Sequence, residues 1–306
     1  MIRIATRRSP LALAQSGLVA ERLRACLGAE TELVPVTTTG DRLGDRPLAA
    51  LGGKGLFIKE IEEALLDDRA DLAVHSAKDL PAGIAPGLVL AAFPERADPR
   101  DALIGRTPGV RLGTLPPGAR VGTGSVRRTS QLLAQRPDLC VVPVRGNVET
   151  RLQRLEEDDL DAVVLACAGL DRLDLATRIH ERVAPEVLLP AVGQGTLALQ
   201  VRADDPLVEQ LTAVDHPATR LAIAAERAFL ARLEGDCSVP LAALAESVAG
   251  ARLRLRGLVA SSDGSRIARA EREGPSDEAR ALGVRVAEDV LAEGGDEILA
   301  SLAAAS

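Results

Sequence analysis

Arg120-Val-Gly-Thr-Gly-Ser125-Val-Arg-Arg128-Thr-Ser-Gln-Leu-Leu-Ala-Gln135 is the stretch whose reading decides the fold. Arg120–Gly122 reads as a short strand, and Ser125–Gln135 as a helix that Gly122-Thr-Gly-Ser125 opens. A strand that passes through glycines straight into a helix is the working unit of layered α/β structure. The unit recurs on both sides. Strands are expected at Ile2–Thr6, Thr31–Val36, Leu72–His75, Leu88–Ala92, Ala102–Ile104, Cys140–Val144, Ala162–Ala166 and Thr196–Val201. Helices are expected at Pro10–Leu27, Leu56–Leu66, Asn147–Glu157 and Pro206–Val214. In the second of these, Phe57, Ile58, Ile61, Ala64 and Leu65 form one apolar stripe.

Two proline-bearing stretches, Pro94-Glu-Arg-Ala-Asp-Pro99 and Leu189-Pro-Ala-Val-Gly-Gln-Gly195, read as crossings between α/β domains, with a cleft between the domains. After about residue 216 the texture changes. A helix over Pro217–Leu233 precedes strands near Leu241–Ala245, Arg252–Val259 and Arg266–Glu271, then helices from Asp277 onward. The expected division is domain 1 over 1–95 and 196–215, domain 2 over 100–190, and a smaller α+β domain 3 over 217–306.

The 306 residues, 46% hydrophobic and 26% charged, suit about two domains, or three small ones, able to fold without a disulfide or a metal. No apolar run reaches the length of a membrane span. A net charge of −7 with 1% aromatic residues argues against a nucleic-acid binder, which needs cationic surface and stacking platforms. Cys26, Cys140, Cys167 and Cys237 have no metal-ligand spacing, and free thiols fit a reducing cytosol. Arg3, Arg7 and Arg8 lie in an acid-poor start, but a strand and a capped helix account for that segment, so the expectation is a cytoplasmic protein without a targeting segment.

The chemistry-bearing positions gather after expected strand ends, the ligand-facing end of an open α/β sheet. Arg7 and Arg8 precede Ser9 and Pro10, which suit an N-cap and first helical position. Cations at a helix N-terminus oppose its dipole and make sense when an anion sits there. Thr123, Ser125, Arg127 and Arg128 repeat the device, and Arg145 with Asn147 and Arg151 repeats it again, with Arg172 after the next junction. Guanidinium forks match carboxylates and phosphates, and without a Walker-type lysine motif a polycarboxylate fits at least as well. His75-Ser76-Ala77-Lys78-Asp79 crowds one strand end with polar groups, and Asp79 there could stabilise a cation or shuttle a proton. The only lysines, Lys54, Lys59 and Lys78, cluster in a chain otherwise basic through arginine, which suggests a need for compact ammonium groups. Gly52-Gly-Lys54-Gly55 reads equally as a phosphate loop, a lid or a surface loop. In Leu233-Glu-Gly-Asp-Cys237-Ser-Val-Pro240 the acids would raise a thiol pKa, which suits a covalent attachment point better than a nucleophile.

Together these segments resemble the hydroxymethylbilane synthase (porphobilinogen deaminase) family. The motifs are Ile4-Ala-Thr-Arg-Arg-Ser-Pro-Leu-Ala-Leu13, Gly52-Gly-Lys-Gly-Leu-Phe-Ile-Lys-Glu60, His75-Ser-Ala-Lys-Asp-Leu-Pro81, Gly122-Thr-Gly-Ser-Val-Arg-Arg128, Arg145-Gly-Asn-Val-Glu-Thr-Arg151, Leu189–Gly195 and Leu233–Pro240, in family order over nearly the whole chain. The resemblance implies two domains like type II periplasmic binding proteins plus the C-terminal α+β domain. It implies a dipyrromethane cofactor on Cys237 through a thioether. It also implies head-to-tail polymerisation of porphobilinogen with loss of ammonia, giving linear hydroxymethylbilane for tetrapyrrole and heme biosynthesis, by a cytoplasmic monomer.

Under the resemblance Asp79 is the catalytic aspartate. Lys54, Ser76, Lys78, Thr123, Ser125, Arg127, Arg128 and Arg145 contact the cofactor, and Arg7, Ser9, Arg151, Arg172 and Gln194 contact substrate; Arg8 is added to this substrate set from its position alone. No metal is implied. Asp236 and Gly124 depart from the family's usual glycine and serine, Ala50 from a basic residue of some members and Ala77 from a frequent methionine. The rival readings are a non-catalytic two-lobed binding protein for a polycarboxylate, which leaves Asp79 and Cys237 without a task, and a cysteine hydrolase, which lacks a histidine near its cysteine.

Overall fold

Ser9 accepts a hydrogen bond from the Ala12 amide at 3.3 Å and Pro10 follows at the first helical position, so the first helix starts where local chemistry places it. Gly28, in the left-handed region at φ 63°, ends that helix with its amide on the Arg24 carbonyl. The computed structural model describes residues 1–39, 58–234 and 239–304. In chain order its strands are β1 (Ile2–Arg7), β2 (Thr31–Val36), β3 (Leu72–Ser76), β4 (Leu88–Ala92), β5 (Asp101–Gly105), β6 (Arg120–Gly122), β7 (Cys140–Val142), β8 (Ala162–Ala166), β9 (Glu181–Val183), β10 (Leu197–Arg202), β11 (Leu241–Val248), β12 (Arg252–Ala260) and β13 (Ile267–Pro275). The helices are α1 (Pro10–Leu27), α2 (Lys59–Leu66), α3 (Val126–Gln135), α4 (Val148–Glu157), α5 (Cys167–Arg172), α6 (Leu207–Gln210), α7 (Pro217–Arg232), α8 (Ala279–Val290) and α9 (Asp296–Ala304).

The chain divides into two compact units, residues 1–97 with 195–220, and residues 98–194 with 221–306. The first unit holds a sheet of order β2-β1-β3-β10-β4, in which β1 runs parallel to β2 and β3 while β10 runs antiparallel to β3 and β4. Alternation along the strands feeds two cores. Ile4, Leu72 and Val74 pack with Val19, Ala20 and Leu23 of α1, whereas Ala5 and Ala73 pack with Ile61, Ala64 and Leu65 of α2. Leu23 and Leu65 are fully enclosed, each worth about 1.5–3 kcal/mol of burial. Pro35, which cannot donate to a ladder, sits on β2 at the sheet edge.

The second unit repeats the pattern with order β7-β6-β8-β5-β9, where β6 is parallel to β7 and β8 and β5 is antiparallel to β8 and β9. It also carries an antiparallel meander, β11-β12-β13. Gly257 of β12 lets Phe229 of α7 lie against the sheet: a Cβ at 257 would stand 2.4 Å from the ring. Among the described residues no helix is long and apolar enough to cross a membrane.

Some elements differ from expectation. Residues 56 and 57 of the expected helix Leu56–Leu66 lie outside the described residues, and α2 begins at Lys59. The expected helix over Pro206–Val214 is α6 followed by a 3-10 turn, Leu211–Val214. There the Thr212 hydroxyl donates to the Glu209 carbonyl at 2.6 Å and competes with the helical ladder. Strand β13 outruns its expected Arg266–Glu271 because it pairs along all of β12. Strand β9 and helix α5 carry too few residues for a periodic signal.

Candidate functional site

In the first unit, β1 and β3 end side by side, and a cavity opens there between their ends, α1 and α2. Arg7, Ser9, Gln15, His75, Ser76 and Asp79 line it, over an apolar floor that includes Ile61 and Val74. Arg7 is the last residue of β1, and Asp79 lies in the 3-10 turn Ala77–Asp79 directly after β3. The Ala77 amide donates to the Thr196 carbonyl at 2.9 Å, which anchors that turn to the segment leading into β10. Asp79 is exposed and takes no hydrogen bond among the described residues. Lys78 is exposed beside it. Gln15 donates from Nε2 to the Ser76 hydroxyl at 2.9 Å, so that hydroxyl is oriented from α1. Arg8 is not among the lining residues; it is exposed and donates to Thr37 Oγ1 at 3.2 Å.

His75 is buried, with its Nε2 2.8 Å from Gln200 Oε1 on β10. Burial pushes its imidazolium down to about 4, against partial support from Gln200 and the Asp79 charge.

In the second unit, Ser125 caps α3 by accepting from the Arg128 amide at 3.4 Å, and Thr123 Oγ1 accepts from the Ser125 amide at 3.3 Å. The first turn of α3 therefore presents Arg127 and Arg128, but inward: they are 5% and 4% exposed. Both converge on Asp101, the first residue of β5, which is 0% exposed. Asp101 Oδ2 accepts from Arg127 Nη1 at 2.8 Å, and Oδ1 accepts from Arg128 Nη2 at 2.8 Å, Arg128 Nε at 3.0 Å and Gln194 Nε2 at 2.9 Å. Arg127 also reaches the Leu189 carbonyl and Arg128 the Val164 carbonyl. Burial alone would raise the Asp101 carboxyl; the two guanidinium charges outweigh it and hold the group well below the usual carboxylate range.

Gln131 completes the cluster by donating to the Leu189 carbonyl at 3.0 Å and accepting from the Leu189 amide at 2.8 Å, which fixes the 189–195 segment. Glu226 of α7, fully buried, accepts from the Gly193 amide at 2.7 Å and the Ala245 amide at 2.8 Å.

Arg145 is exposed and takes no hydrogen bond or ion pair among the described residues. Asn147 caps α4 through the Thr150 amide at 2.8 Å, and Arg151 Nε donates to the Gly146 carbonyl at 2.8 Å. Arg172 ends α5; burial pulls it down to about 10, so it remains a cation at neutral pH. Cys167 is buried and its thiol is pushed up to about 12, mainly by desolvation, which makes it inert. Lys54, Cys237, Asp236, Ala50 and the Gly52–Gly55 loop lie outside the described residues. At Gly124 a Cβ would stand 2.6 Å from the Val144 carbonyl oxygen, so the serine of the family pattern would have to displace backbone here.

Sequence reasoning brought forward the arginines but missed the acid that organises them. The available signal was Asp101 opening the apolar run Asp101-Ala-Leu-Ile-Gly105, a charge at the head of a buried strand. It also did not assign Gln15 or Gln200 to the site, and nothing in their local sequence marks them for it.

Comparison with known proteins adds two family models: "Porphobilinogen deaminase, dipyromethane cofactor binding domain" matches residues 2–210, and "Porphobilinogen deaminase, C-terminal domain" matches residues 220–292. The porphobilinogen deaminase of Syntrophotalea carbinolica is 52% identical over 304 residues, covering 98% of this chain and 96% of that protein. The one from Roseiflexus sp. is 52% identical over 299 residues, covering 97% and 98%. Among solved structures, a periplasmic substrate-binding protein of an ABC transporter from Coxiella burnetii aligns at 14% identity with a TM-score of 0.44, over 72% of this chain and 94% of that one.

Proposed function

This chain belongs to the porphobilinogen deaminase family, and from that premise we propose that it joins porphobilinogen units head to tail, releasing ammonia at each addition and finally linear hydroxymethylbilane. The observation that carries the reading is the succession of both family models along one chain, over residues 2–210 and 220–292. Cys237 would hold a dipyrromethane primer through a thioether, and that primer would supply the pyrrole carbon to which the next unit is added.

The described residues suit such a polycarboxylate. Arg127 and Arg128 face the single carboxylate of Asp101, so the buried cluster keeps one cation in excess. Each guanidinium also keeps N–H donors that its partners among the described residues leave unused. Desolvated cations with preset geometry bind carboxylates without reorganising. Thr123, Ser125, Arg145, Ser76, Lys78 and Lys54 complete the cofactor-contacting set. Arg7, Arg8, Ser9, Arg151, Arg172 and Gln194 take the carboxylates and backbone of the incoming substrate.

Asp79 accepts the pyrrole N–H of porphobilinogen and stabilises the azafulvene cation that forms as ammonia leaves. Its position beside Arg7 and Ser9 in one cavity supports this role: the arginine holds a substrate carboxylate while Asp79 faces the ring. We take the enzyme to work as a cytoplasmic monomer of three domains, over 1–95 with 196–215, 100–190 and 217–306, with neither nucleic acid nor membrane as partner. The net charge of −7 and the free thiols Cys26, Cys140 and Cys167 support that setting.

The intact mass of the purified chain, with peptide mapping, tests the proposal. An excess equal to two linked pyrrole units on the Cys237 peptide is expected. The bare sequence mass, unchanged after incubation with porphobilinogen, would remove the reading.

A further inference from the structure

Three polar groups from three elements form a line behind the cavity of the first unit. Glu62 of α2 accepts from Gln200 Nε2 at 2.7 Å, and Gln200 Oε1 lies 2.8 Å from His75 Nε2. Gln200 is 0% exposed and sits two residues from Ala198, the residue paired with His75 across the β3–β10 ladder, so its side chain shares the face of His75.

The order of donors along this line is forced. A carboxylate only accepts, so Gln200 turns its NH2 toward Glu62 and its carbonyl toward His75. A carbonyl also only accepts, so His75 Nε2 carries the hydrogen. Burial keeps the ring neutral, so that hydrogen is its only one, and Nδ1 is a bare lone pair. Nδ1 takes no hydrogen bond among the described residues, on a residue that lines the cavity with Asp79 and Arg7.

We propose that His75 is a neutral hydrogen-bond acceptor for the aminomethyl nitrogen of the substrate, held in the Nε2–H tautomer by Glu62 acting through Gln200. The proposal rests on reading this cavity as the porphobilinogen site. Porphobilinogen brings two kinds of nitrogen donor, a pyrrole N–H and a protonated aminomethyl group, and the cavity offers two acceptors that no described residue engages, the Asp79 carboxylate and His75 Nδ1. With Asp79 on the pyrrole N–H, Nδ1 accepts from the ammonium.

When the carbon–nitrogen bond breaks, both electrons leave with nitrogen, which departs as ammonia with its three hydrogens. The positive charge passes to the pyrrole as the azafulvene cation beside Asp79, and His75 neither gains nor loses a proton. A neutral ring orients the leaving group without repelling the cation, which an imidazolium in the same place would do. Glu62 and Gln200 are positioning residues.

Two substitutions in the full-length chain separate this role from a structural one. His75→Gln keeps a donor toward Gln200 and loses the acceptor at the Nδ1 position, whereas His75→Asn keeps the acceptor and loses the bond to Gln200. The rate of ammonia release from porphobilinogen is expected to fall about tenfold to a hundredfold in His75→Gln, the loss of a hydrogen bond to a charged group, and less than tenfold in His75→Asn. Thermal stability should follow the opposite order. Equal rates, or a faster His75→Gln, would overturn the proposal.

Nitrogen-15 NMR of the wild-type imidazoles, three histidines in all, reads the tautomer directly: a protonated Nε2 and a bare Nδ1 are expected at neutral pH, and the reverse would refute the line. A wild-type chain that releases no ammonia would sink the functional reading itself, and the assigned ligand atom with it, while the tautomer would still be read.

Discussion

Replacing Asp101 with asparagine removes one charge and almost no volume, so it isolates the electrostatics of the buried cluster. Asp101 is 0% exposed and accepts five side-chain hydrogen bonds, two from Arg127, two from Arg128 and one from Gln194. Asparagine can keep its carbonyl toward the four donors at Oδ1, but its NH2 then faces Arg127 Nη1, donor against donor. The two guanidiniums also lose their only counter-charge among the described residues in a dry setting. Breaking a buried pair by removing one partner costs about 3–5 kcal/mol. With a urea m-value of about 2 kcal/mol/M, the unfolding midpoint of this part of the chain should drop by about 2 M.

The chain has neither tryptophan nor tyrosine, so far-UV circular dichroism is the probe. Adding Arg128→Met to the variant should recover part of the loss by removing one stranded cation. Because the folded Asp101 carboxyl sits below its unfolded value, its contribution is present above pH 3.8 and is lost as pH falls toward the folded value. The gap between wild type and variant should therefore narrow in strong acid. A midpoint shift under about 0.5 M at neutral pH would mean that the cluster is hydrated and that the electrostatic reasoning is wrong.

Three further outcomes are expected. Asp79→Asn should leave the unfolding free energy within about 0.5 kcal/mol of wild type, as for an exposed position, and nearly abolish ammonia release; near-normal turnover would take Asp79 out of the mechanism. His75 should make the fold acid-sensitive: the unfolded ring binds a proton near pH 6.5 and the folded ring only at about 4, so stability falls as pH drops through that window. The loss is about 3 kcal/mol, and the slope should vanish in His75→Asn. Gly124→Ser should destabilise by about 1–3 kcal/mol, because its Cβ meets the Val144 carbonyl rather than a flexible side chain; a neutral result by denaturant titration would show that the backbone yields there.

Much of the architecture was legible locally. Ser9, Ser125 and Asn147 each precede a helix by one residue and each caps it, because a side-chain oxygen satisfying a free amide three residues on is a short-range event. The apolar stripe of α2 and the alternation of strand and helix follow from burial of one face. Elements without such local chemistry were hidden: β9 exists because β5 offers it an edge, and the expected helix after Pro206 gives way to a 3-10 turn through one threonine hydroxyl. The arginines at strand ends were visible as a pattern, but their direction was not. Arg127 and Arg128 point into the protein onto an acid, whereas Arg145 stands exposed.

By itself the sequence determined most of the succession of elements, the caps and the ordered motifs that identify the family, all of which depend on neighbours a few positions away. Tertiary structure alone decided the insertion of β10 antiparallel between β3 and β4, the meeting of Asp101 with two arginines and Gln194, and the line from Glu62 to His75. Gln200 lies 125 residues from His75 and 138 from Glu62. No periodicity reaches across such separations. The pairing of strands brings these groups together, and burial then leaves each polar group to find a partner or pay its desolvation.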